Sequence, residues 1–193
     1  YHNLVGTNGQ SYTVLLETME ILAGKNKVNL GGGPHHEEGC INIDRLPYPG
    51  VDIVADLNKG IPLADNSVDE LTAFSILEHL DDTVLSMEEI YRVCKKDAKV
   101  TITVPYLKST AAFKDPTHKR FFSERTFEYF DKSFTGNGLL PDYDLKCNLK
   151  IERISYKYYN PSGIRALLFN NRFFIRFFWD IIKTFTVELR VIK

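Results

Sequence analysis

Short apolar runs, rich in valine and isoleucine, recur along the first half of the chain. They span residues 28–30, 41–43, 51–55, 70–75 and 100–104. Runs that are short and almost continuously apolar are typical of parallel strands covered on both faces. Short buried helices are a poorer interpretation, because the runs are brief and rich in β-branched residues. The pattern therefore predicts five parallel strands.

A helical spacing of apolar residues separates the last two runs. Asp82 or Thr83 can cap this helix, and Lys95 and Lys96 end it with cations at the negative end of its dipole. The apolar residues at helical spacing are Val84, Met87, Ile90, Tyr91 and Cys94. Weaker patterns predict helices over 12–23 and from Ser123, and late strands over 151–158 and 185–192.

Strands that alternate with loops and helices indicate an α/β sheet, in which ligands bind beyond the carboxyl ends of the strands. Three glycines, Gly31, Gly32 and Gly33, directly follow the first predicted strand. Glycine lets the backbone approach a ligand closely and adopt a positive φ. A tight turn without a ligand is the alternative interpretation.

Carboxylates stand at the tips of the next two strands. Asp44 ends the second strand, and its two oxygens can accept both hydroxyls of a ribose. Asp56 ends the third strand and can accept an exocyclic amine, while Leu57 covers a base. Each acid alone could also be a surface or capping residue. Asp44 lies 11 residues after Gly33, whereas dinucleotide folds place their acid about 20 residues on, which disfavours a dinucleotide site.

The order and spacing of eight short motifs resemble one enzyme family. The motifs are Leu30-Gly31-Gly32-Gly33, Ile43-Asp44, Ala55-Asp56-Leu57, Ile61-Pro62, Asp65-Asn66-Ser67-Val68-Asp69, Glu78-His79-Leu80, Glu89-Ile90-Tyr91-Arg92-Val93 and Val104-Pro105. Together they resemble the class I S-adenosylmethionine-dependent methyltransferases, specifically the small type 11 group. The resemblance runs from about Lys27 to Tyr106, with a weaker continuation through Phe130.

The resemblance implies a doubly wound, mostly parallel Rossmann-like sheet with an antiparallel last strand and an inserted aromatic-rich helix. We therefore expect a single methyltransferase domain over 1–193. Its expected parts are an N-terminal helix (1–26), a cofactor-binding core (27–106), a substrate-side loop and helix (107–135) and the inserted helix (161–184).

The resemblance also implies a role for each strand-tip residue. Asn29, Gly31, Gly32 and Gly33 would pass close to the amino-acid part of S-adenosylmethionine, and Asp44 would hold the ribose hydroxyls. Asp56 and Leu57 would meet the adenine. The floor under the sulfonium would consist of Ser75, Ile76 and Leu77, with Glu78 and His79 at the edge that faces the substrate.

The chain departs from the family pattern at several positions. Asn29 stands where the family usually has an acid, and His35 stands where it usually has a glycine. Lys96-Asp97-Ala98 replaces a glycine turn. Only residues 34–40 separate the first two strands, which is too few for the usual crossover helix of at least about 10 residues. We expect an extended loop to make this crossing, or a later helix to fill the gap.

Composition narrows the class of partner. The chain has 193 residues, with 24 Lys and Arg against 25 Asp and Glu, for a formal charge of −1. This balance disfavours a nucleic-acid substrate, because such proteins carry a marked basic excess. Three dispersed cysteines favour a reducing compartment, so we expect a cytoplasmic protein. No metal site is predicted, because adjacent histidines such as His35 and His36 rarely converge on one ion.

Methyl transfer from a sulfonium needs an aligned acceptor and, for a hydroxyl, a base. His118, in the loop after the fifth strand, and His79, beyond the fourth, are the catalytic candidates, and Tyr106 could orient the substrate. Each histidine could instead only stabilise its loop. The residues after the fourth strand lack the turn typical of amide and base methyltransferases. We therefore expect methyl transfer to a hydroxyl of a small-molecule or sugar-linked acceptor. The alternatives are a cofactor-binding but catalytically silent module and a dinucleotide oxidoreductase.

The region 164–185 is unusually aromatic. It holds six of the chain's 13 phenylalanines and its only tryptophan, Trp179. Apolar residues occupy nearly all faces of a helix over this region, so we expect the helix to be covered. The sheet or the cofactor could cover it, and a homodimer interface or weak contact with a membrane surface are the alternatives.

Overall fold

The computed structural model describes residues 26–34, 37–135, 140–141, 143–159 and 179–193. Within these ranges, seven strands form one sheet in the order β3-β2-β1-β4-β5-β7-β6. The strands are β1 (Lys27–Leu30), β2 (Ile41–Asp44), β3 (Ile53–Val54), β4 (Val68–Phe74), β5 (Cys94–Pro105), β6 (Leu149–Tyr158) and β7 (Ile182–Val191). β7 pairs antiparallel with both β5 and β6, and the other strand pairs of this sheet are parallel. The predicted fold class, a doubly wound and mostly parallel sheet with an antiparallel last strand, is confirmed.

Four α-helices and two short 3₁₀ helices occur in the described part of the chain. The α-helices are α1 (Thr83–Val93), α2 (Thr110–Phe113), α3 (Glu124–Glu128) and α4 (Lys132–Thr135), and the 3₁₀ helices are Leu57–Lys59 and Leu77–His79. The two 3₁₀ helices follow β3 and β4, at the sheet edge where the carboxyl ends of β1, β2, β3 and β4 meet. This edge carries the candidate site.

The hydrophobic core lies on the central strands of the sheet, whose apolar side chains are buried. Leu71 of β4, Val100 and Ile102 of β5, and Leu189 of β7 are fully buried. Burial of each such side chain contributes about 1.5–3 kcal/mol to stability, so the apolar runs fix the centre of the sheet. β7 alternates buried and partly exposed residues along its length, as its strictly alternating sequence predicts.

Helix α1 begins where the sequence predicts and ends earlier. The side chain of Asp82 accepts a hydrogen bond from the backbone N–H of Leu85 at 3.0 Å and so caps the helix. The predicted end at Lys95 and Lys96 is wrong, because Cys94 already has extended backbone and begins β5. Lys95 instead pairs with Asp69 at 2.8 Å.

Several other predicted boundaries shift. The third strand is shorter than the predicted 51–55, β4 and β5 begin earlier than predicted, and helix α3 begins at Glu124 with Ser123 as its cap. The described residues between β1 and β2 contain no helix, so a loop makes this crossing. The predicted inserted helix is wrong for residues 179–184, because 179–181 form bends and 182–184 belong to β7. The rest of that prediction (161–178) and the predicted N-terminal helix (1–26), apart from residue 26, lie outside the described residues.

Candidate active site

A cavity of about 630 Å³ opens at the carboxyl edge of β1 to β4. Its size lies within the range of about 300–1,000 Å³ that is typical of small-molecule sites. Eight of the predicted site residues line it: Gly31, Gly33, Asp44, Asp56, Leu57, Ser75, Ile76 and His79. Residues that the sequence analysis did not single out also line it: Arg45, Leu46, Tyr48, Ala55, Asn58, Leu80, Thr117 and Lys119.

The glycine turn is shaped by close packing at one position. Gly31 has φ +66°, and a Cβ atom there would lie 2.5 Å from Cγ1 of Ile76. Gly33 has φ +57°, yet a Cβ atom there would meet nothing within 4 Å. The first glycine therefore brings the backbone against Ile76, whereas the second is needed only for its left-handed conformation.

Asp44 holds the glycine turn with one carboxylate oxygen and its own turn with the other. Oδ2 accepts a hydrogen bond from the backbone N–H of Gly33 at 2.9 Å, and Oδ1 accepts one from Leu46 at 2.9 Å. Asp56 caps the 3₁₀ helix Leu57–Lys59, since its Oδ1 accepts from the backbone N–H of Asn58 at 3.1 Å. Carboxylate oxygens can accept more than one hydrogen bond, so both acids keep acceptor capacity toward the cavity. We call Gly31, Gly33, Asp44 and Asp56 the cofactor edge.

Residues of α1 hold the segment that follows Asp56 and Leu57. Glu89 accepts a hydrogen bond from the backbone N–H of Ile61 at 2.9 Å, and Arg92 donates to the carbonyl oxygens of Ile61 and Leu63 at 2.8 and 2.9 Å. The two side chains also pair with each other at 2.7 Å, and this hydrogen bond to Arg92 lowers the pKa of Glu89. The pair therefore fixes the loop beyond β3 against the helix.

Ser75 bends the chain sharply at the tip of β4. Its φ is +51°, which is uncommon for a residue with a side chain. Its backbone N–H donates to the carbonyl oxygen of Thr103 on β5 at 2.8 Å, which holds the bend. Such a backbone conformation costs free energy and is concentrated at functional sites. The bend leads directly into the 3₁₀ helix Leu77–His79.

Four predicted residues lie elsewhere. Asn29 is buried and donates its amide to Asn42 Oδ1 at 3.0 Å, and with Gly32 it lines a separate cavity of about 450 Å³. Leu77 is buried in the core. Tyr106 packs edge-on against Phe185 and does not line the larger cavity. The roles predicted for these four residues stay predictions.

Two histidines from distant parts of the sequence meet beside the larger cavity. The rings of His79 and His118 are 4.7 Å apart and edge-on. The backbone N–H groups of Lys119 and Arg120 donate to the carbonyl oxygen of Glu78, at 2.7 and 3.2 Å, and so tie the loop that contains His118 to the 3₁₀ helix that contains His79. The fold therefore joins both predicted catalytic histidines into one group.

Hydrogen bonds fix which nitrogen of each ring carries the proton. His118 Nδ1 lies 2.8 Å from the carbonyl oxygen of Ala112, which can only accept, so Nδ1 donates. The hydroxyl of Thr117 donates to Asp115 Oδ1 at 2.7 Å, so it accepts from His79 Nδ1 at 3.0 Å. In both rings Nδ1 is therefore the donor in these hydrogen bonds, and Nε2 is the other ring nitrogen. Burial lowers the pKa of His79, with the neighbouring His118 as a second cause, so its neutral form is favoured at pH 7.

Glu78 is the third member of this group. It is 1% exposed, and neither carboxylate oxygen makes a hydrogen bond to any described residue. Burial raises its pKa to about 7. Its own backbone, His118 and the nearby Ser75 hydroxyl, which does not meet hydrogen-bond geometry with either carboxylate oxygen, oppose this rise more weakly. We call Glu78, His79 and His118 the Glu78 cluster. The sequence analysis placed Glu78 at the substrate edge but gave no sign of its isolation from hydrogen-bond donors.

Comparison with known proteins agrees with this geometry. A family model described as a methyltransferase domain matches residues 38–102, which include Asp44, Asp56 and the Glu78-His79 pair. No curated protein matches the chain. No helix among the described residues is long and apolar enough to cross a membrane.

Several solved structures share the fold at low sequence identity. YcgJ from Bacillus subtilis is 13% identical with a TM-score of 0.56, and the alignment covers 94% of this chain and 99% of that one. An S-adenosylmethionine-dependent methyltransferase from Archaeoglobus fulgidus is 16% identical with a TM-score of 0.55, at 95% coverage of both chains. A putative methyltransferase from Haloferax volcanii, in complex with the Trm112 methyltransferase activator, is 14% identical with a TM-score of 0.54, at 96% and 93% coverage.

The family match over residues 38–102 and the shared fold support an S-adenosylmethionine-dependent methyltransferase, with S-adenosylmethionine as its cofactor. The resemblance seen in the sequence is thus borne out by the family model over this part of the chain. Which acceptor receives the methyl group is a separate question.

Proposed function

We propose that this enzyme transfers the methyl group of S-adenosylmethionine to a hydroxyl of a small-molecule or sugar-linked acceptor. The observation that carries the proposal is the position of His79. It lines the same cavity as Asp44 and Asp56, and its ring offers an unprotonated Nε2. A base beside the methyl donor is what a hydroxyl acceptor requires, because the hydroxyl must lose its proton as the new bond forms.

The cofactor is placed along the cofactor edge in this proposal. Asp44 accepts the ribose hydroxyls, Asp56 and Leu57 meet the adenine, and the backbone of Gly31 and Gly33 passes the amino-acid part. The floor under the sulfonium is then formed by Ser75 and Ile76. The protein mainly positions the two reactants, since a direct displacement requires the acceptor oxygen, the methyl carbon and the sulfur to be in line.

His79 is oriented by a short chain of hydrogen bonds. Its Nδ1 donates to Thr117, whose hydroxyl donates to Asp115. The carboxylate at the end of this chain stabilises the charged ring that forms when Nε2 takes up a proton. His118 stands edge-on to His79 and forms the second candidate base.

The proposed acceptor class rests on the charge balance and on the shape of the site. A formal charge of −1 over 193 residues favours a small acceptor over a nucleic acid. The three cysteines are buried and form no disulfide, which supports the expected cytoplasmic location; they are Cys40, Cys94 and Cys147. A single domain over 1–193 is part of the same proposal.

Two substitutions test the role of His79. We expect His79→Asn to lower kcat by about 100-fold or more with little change in cofactor affinity, because general-base catalysis contributes about 10²–10⁴-fold. Thr117→Val keeps the ring and removes only the group that orients it, so a smaller loss of about 10-fold is expected. A screen of hydroxylated metabolites and sugars, read by formation of S-adenosylhomocysteine, supplies the substrate. An unchanged kcat in His79→Asn would overturn the assignment of the base.

A further inference from the structure

The Glu78 cluster has the composition of a metal site. Glu78, His79 and His118 each offer one ligand atom, and these atoms all lie within 4.8 Å of one another. Two imidazoles and one carboxylate form a ligand set that suits divalent transition metals and leaves further coordination positions open. The no-metal prediction rests on the adjacent His35 and His36. The sequence gives no sign of this cluster, because His79 and His118 lie 39 positions apart and only the fold brings them together.

The carboxylate of Glu78 independently points to a cation. The side chain is 1% exposed, and no described residue donates a hydrogen bond to either oxygen. A buried carboxylate without a partner is strongly unfavourable, and proteins normally pair such a group or use it to coordinate a metal. An ion bound at both histidines would supply the missing partner.

The hydrogen bonds of the two histidines are of the kind that metal-binding histidines make. Nδ1 of His118 donates to the carbonyl oxygen of Ala112, and Nδ1 of His79 donates to Thr117 and through it to Asp115. Metal-binding histidines usually donate their other ring N–H to a carbonyl or carboxylate, which fixes the ring and makes the ligating nitrogen more basic. Here the nitrogen left for an ion is Nε2 in both rings.

We propose that Glu78, His79 and His118 bind one divalent transition-metal ion, such as Mn²⁺ or Zn²⁺, with its open coordination positions facing the cofactor cavity. Ligand atoms about 2.1 Å from one ion stand about 3–3.5 Å apart, so the three side chains move inward by about 1 Å when the ion binds. His79 lines the cavity and therefore places the ion next to the bound cofactor.

One consequence rests on the proposed function. With the ion bound, Nε2 of His79 is a metal ligand and no longer a base. The metal then replaces His79 as the group that activates the hydroxyl, and the reaction stays the one proposed above. A hydroxyl in an open position loses its proton to solvent water, because the ion lowers its pKa. The oxygen then forms the bond to the methyl carbon, while the carbon–sulfur bond breaks and its electron pair leaves with the sulfur of S-adenosylhomocysteine.

The ion can be tested without any substrate. Protein stripped with a chelator and then freed of it is titrated with MnCl₂ and followed by the electron paramagnetic resonance signal of free Mn²⁺, with ZnCl₂ as competitor. We expect one saturable site per chain. Glu78→Gln and His118→Asn should each weaken Mn²⁺ at least about tenfold, since even groups that only orient a ligand contribute about 10–100-fold to metal affinity.

Two controls test whether Mn²⁺ binds specifically at the Glu78 cluster. The double variant His35→Ala, His36→Ala removes the other histidine pair of the sequence and should bind Mn²⁺ normally. The affinity for S-adenosylhomocysteine, measured on Glu78→Gln and His118→Asn, checks that each variant is folded and should be nearly unchanged. Absence of saturable binding, or equal binding in Glu78→Gln and the parent protein, would overturn the metal site.

Activity separates this proposal from the proposed function. Specific binding of Mn²⁺ with no methylation of any hydroxyl acceptor would keep the metal site and reject the acceptor class. Hydroxyl methylation that proceeds equally well in excess chelator, without Mn²⁺ binding, would reject the metal and keep the acceptor class.

Discussion

The cofactor edge and the Glu78 cluster lie beside the same cavity and use their carboxylates in opposite ways. At the cofactor edge, Asp44 and Asp56 accept hydrogen bonds from nearby backbone N–H groups at 2.9–3.1 Å. In the Glu78 cluster, the carboxylate of Glu78 is buried without a hydrogen-bond donor among the described residues. The cofactor edge is preorganised by its own turns, whereas the Glu78 cluster carries an electrostatic cost that is removed by protonation of Glu78 or by a bound cation.

The two regions therefore contribute differently: the hydrogen bonds of Asp44 stabilise the fold, whereas the unpaired carboxylate of Glu78 does not. The hydrogen bonds of Asp44 shape the glycine turn before any ligand arrives, so the cofactor meets an organised surface. The isolation of Glu78 contributes nothing favourable to folding. A costly arrangement of this kind persists where it serves binding or catalysis.

The largest effect is expected at Asp44. Asp44→Ala removes the proposed acceptor of the ribose hydroxyls and the observed partner of the Gly33 N–H. Two charge-assisted hydrogen bonds are together worth about 4 kcal/mol, so a loss of about 1,000-fold in cofactor affinity is expected. Isothermal titration with S-adenosylhomocysteine measures the loss. Asp52→Ala is the matched control, because Asp52, just before β3, also accepts a backbone N–H, from Asn42 at 2.8 Å, without lining the cavity. Equal losses in both variants would mean that Asp44 acts only through the fold.

The two glycines of the cofactor edge should differ. Gly31→Ala combines a left-handed backbone with a clash against Ile76, for a loss of about 3 kcal/mol in the free energy of unfolding. Gly33→Ala has the same backbone problem but open space around it, for a loss of about 1 kcal/mol. Chemical denaturation measures both variants. Similar values would show that the packing of Gly31 against Ile76 does not matter.

Glu78 and Glu89 allow a direct comparison of an unpaired and a paired carboxylate. At pH 8 and without metal, Glu78→Gln removes a buried, unpartnered charge and should stabilise the protein by about 1–2 kcal/mol. Glu89→Gln weakens the pairing with Arg92 and the bond to Ile61, and should destabilise it by about 1–2 kcal/mol. Thermal or chemical unfolding in the presence of a chelator gives both signs. Destabilisation by Glu78→Gln would contradict the isolation of its carboxylate.

The effect of Glu89→Gln should depend on pH in a defined direction. Pairing with Arg92 lowers the pKa of Glu89 in the folded protein below its ordinary 4.5, so the ionised form stabilises the fold. This stabilisation is present above pH 4.5 and is lost as the pH falls through the lowered pKa. The difference in the free energy of unfolding between the parent protein and Glu89→Gln should therefore decrease as the pH falls below 4.5. A gap that stays constant down to pH 3 would exclude this origin.

The sequence predicts those features that depend on local residue patterns, such as the central strands. Apolar runs located the central strands, and their order located Asp44 and Asp56 at one edge because carboxyl ends of parallel strands meet there. The helix end after Val93 could not be predicted, because it depends on the pairing of Cys94 in β5 with Val68 in β4, which is distant in sequence. The loops that contain His118 and the positive φ of Ser75 depend on backbone hydrogen bonds between distant segments.

The candidate site also combines features that the sequence predicts with features that depend on the fold. The sequence identified the histidines one at a time, but their meeting depends on the bonds from Lys119 and Arg120 to the carbonyl oxygen of Glu78. Asn29 looked like a cofactor ligand from its position before the glycines, whereas its amide is bound to Asn42 in the fold. Pairing between buried polar side chains carries no periodic signal, so neither feature could be derived from spacing.

A crystal structure of the complex with S-adenosylhomocysteine tests the central claim most directly. The account predicts the nucleoside in the 630 Å³ cavity, with both ribose hydroxyls on Asp44, the adenine beside Asp56 and Leu57, and the sulfur toward His79. A nucleoside bound instead in the 450 Å³ cavity beside Asn29 and Thr72, away from Asp44, would contradict it.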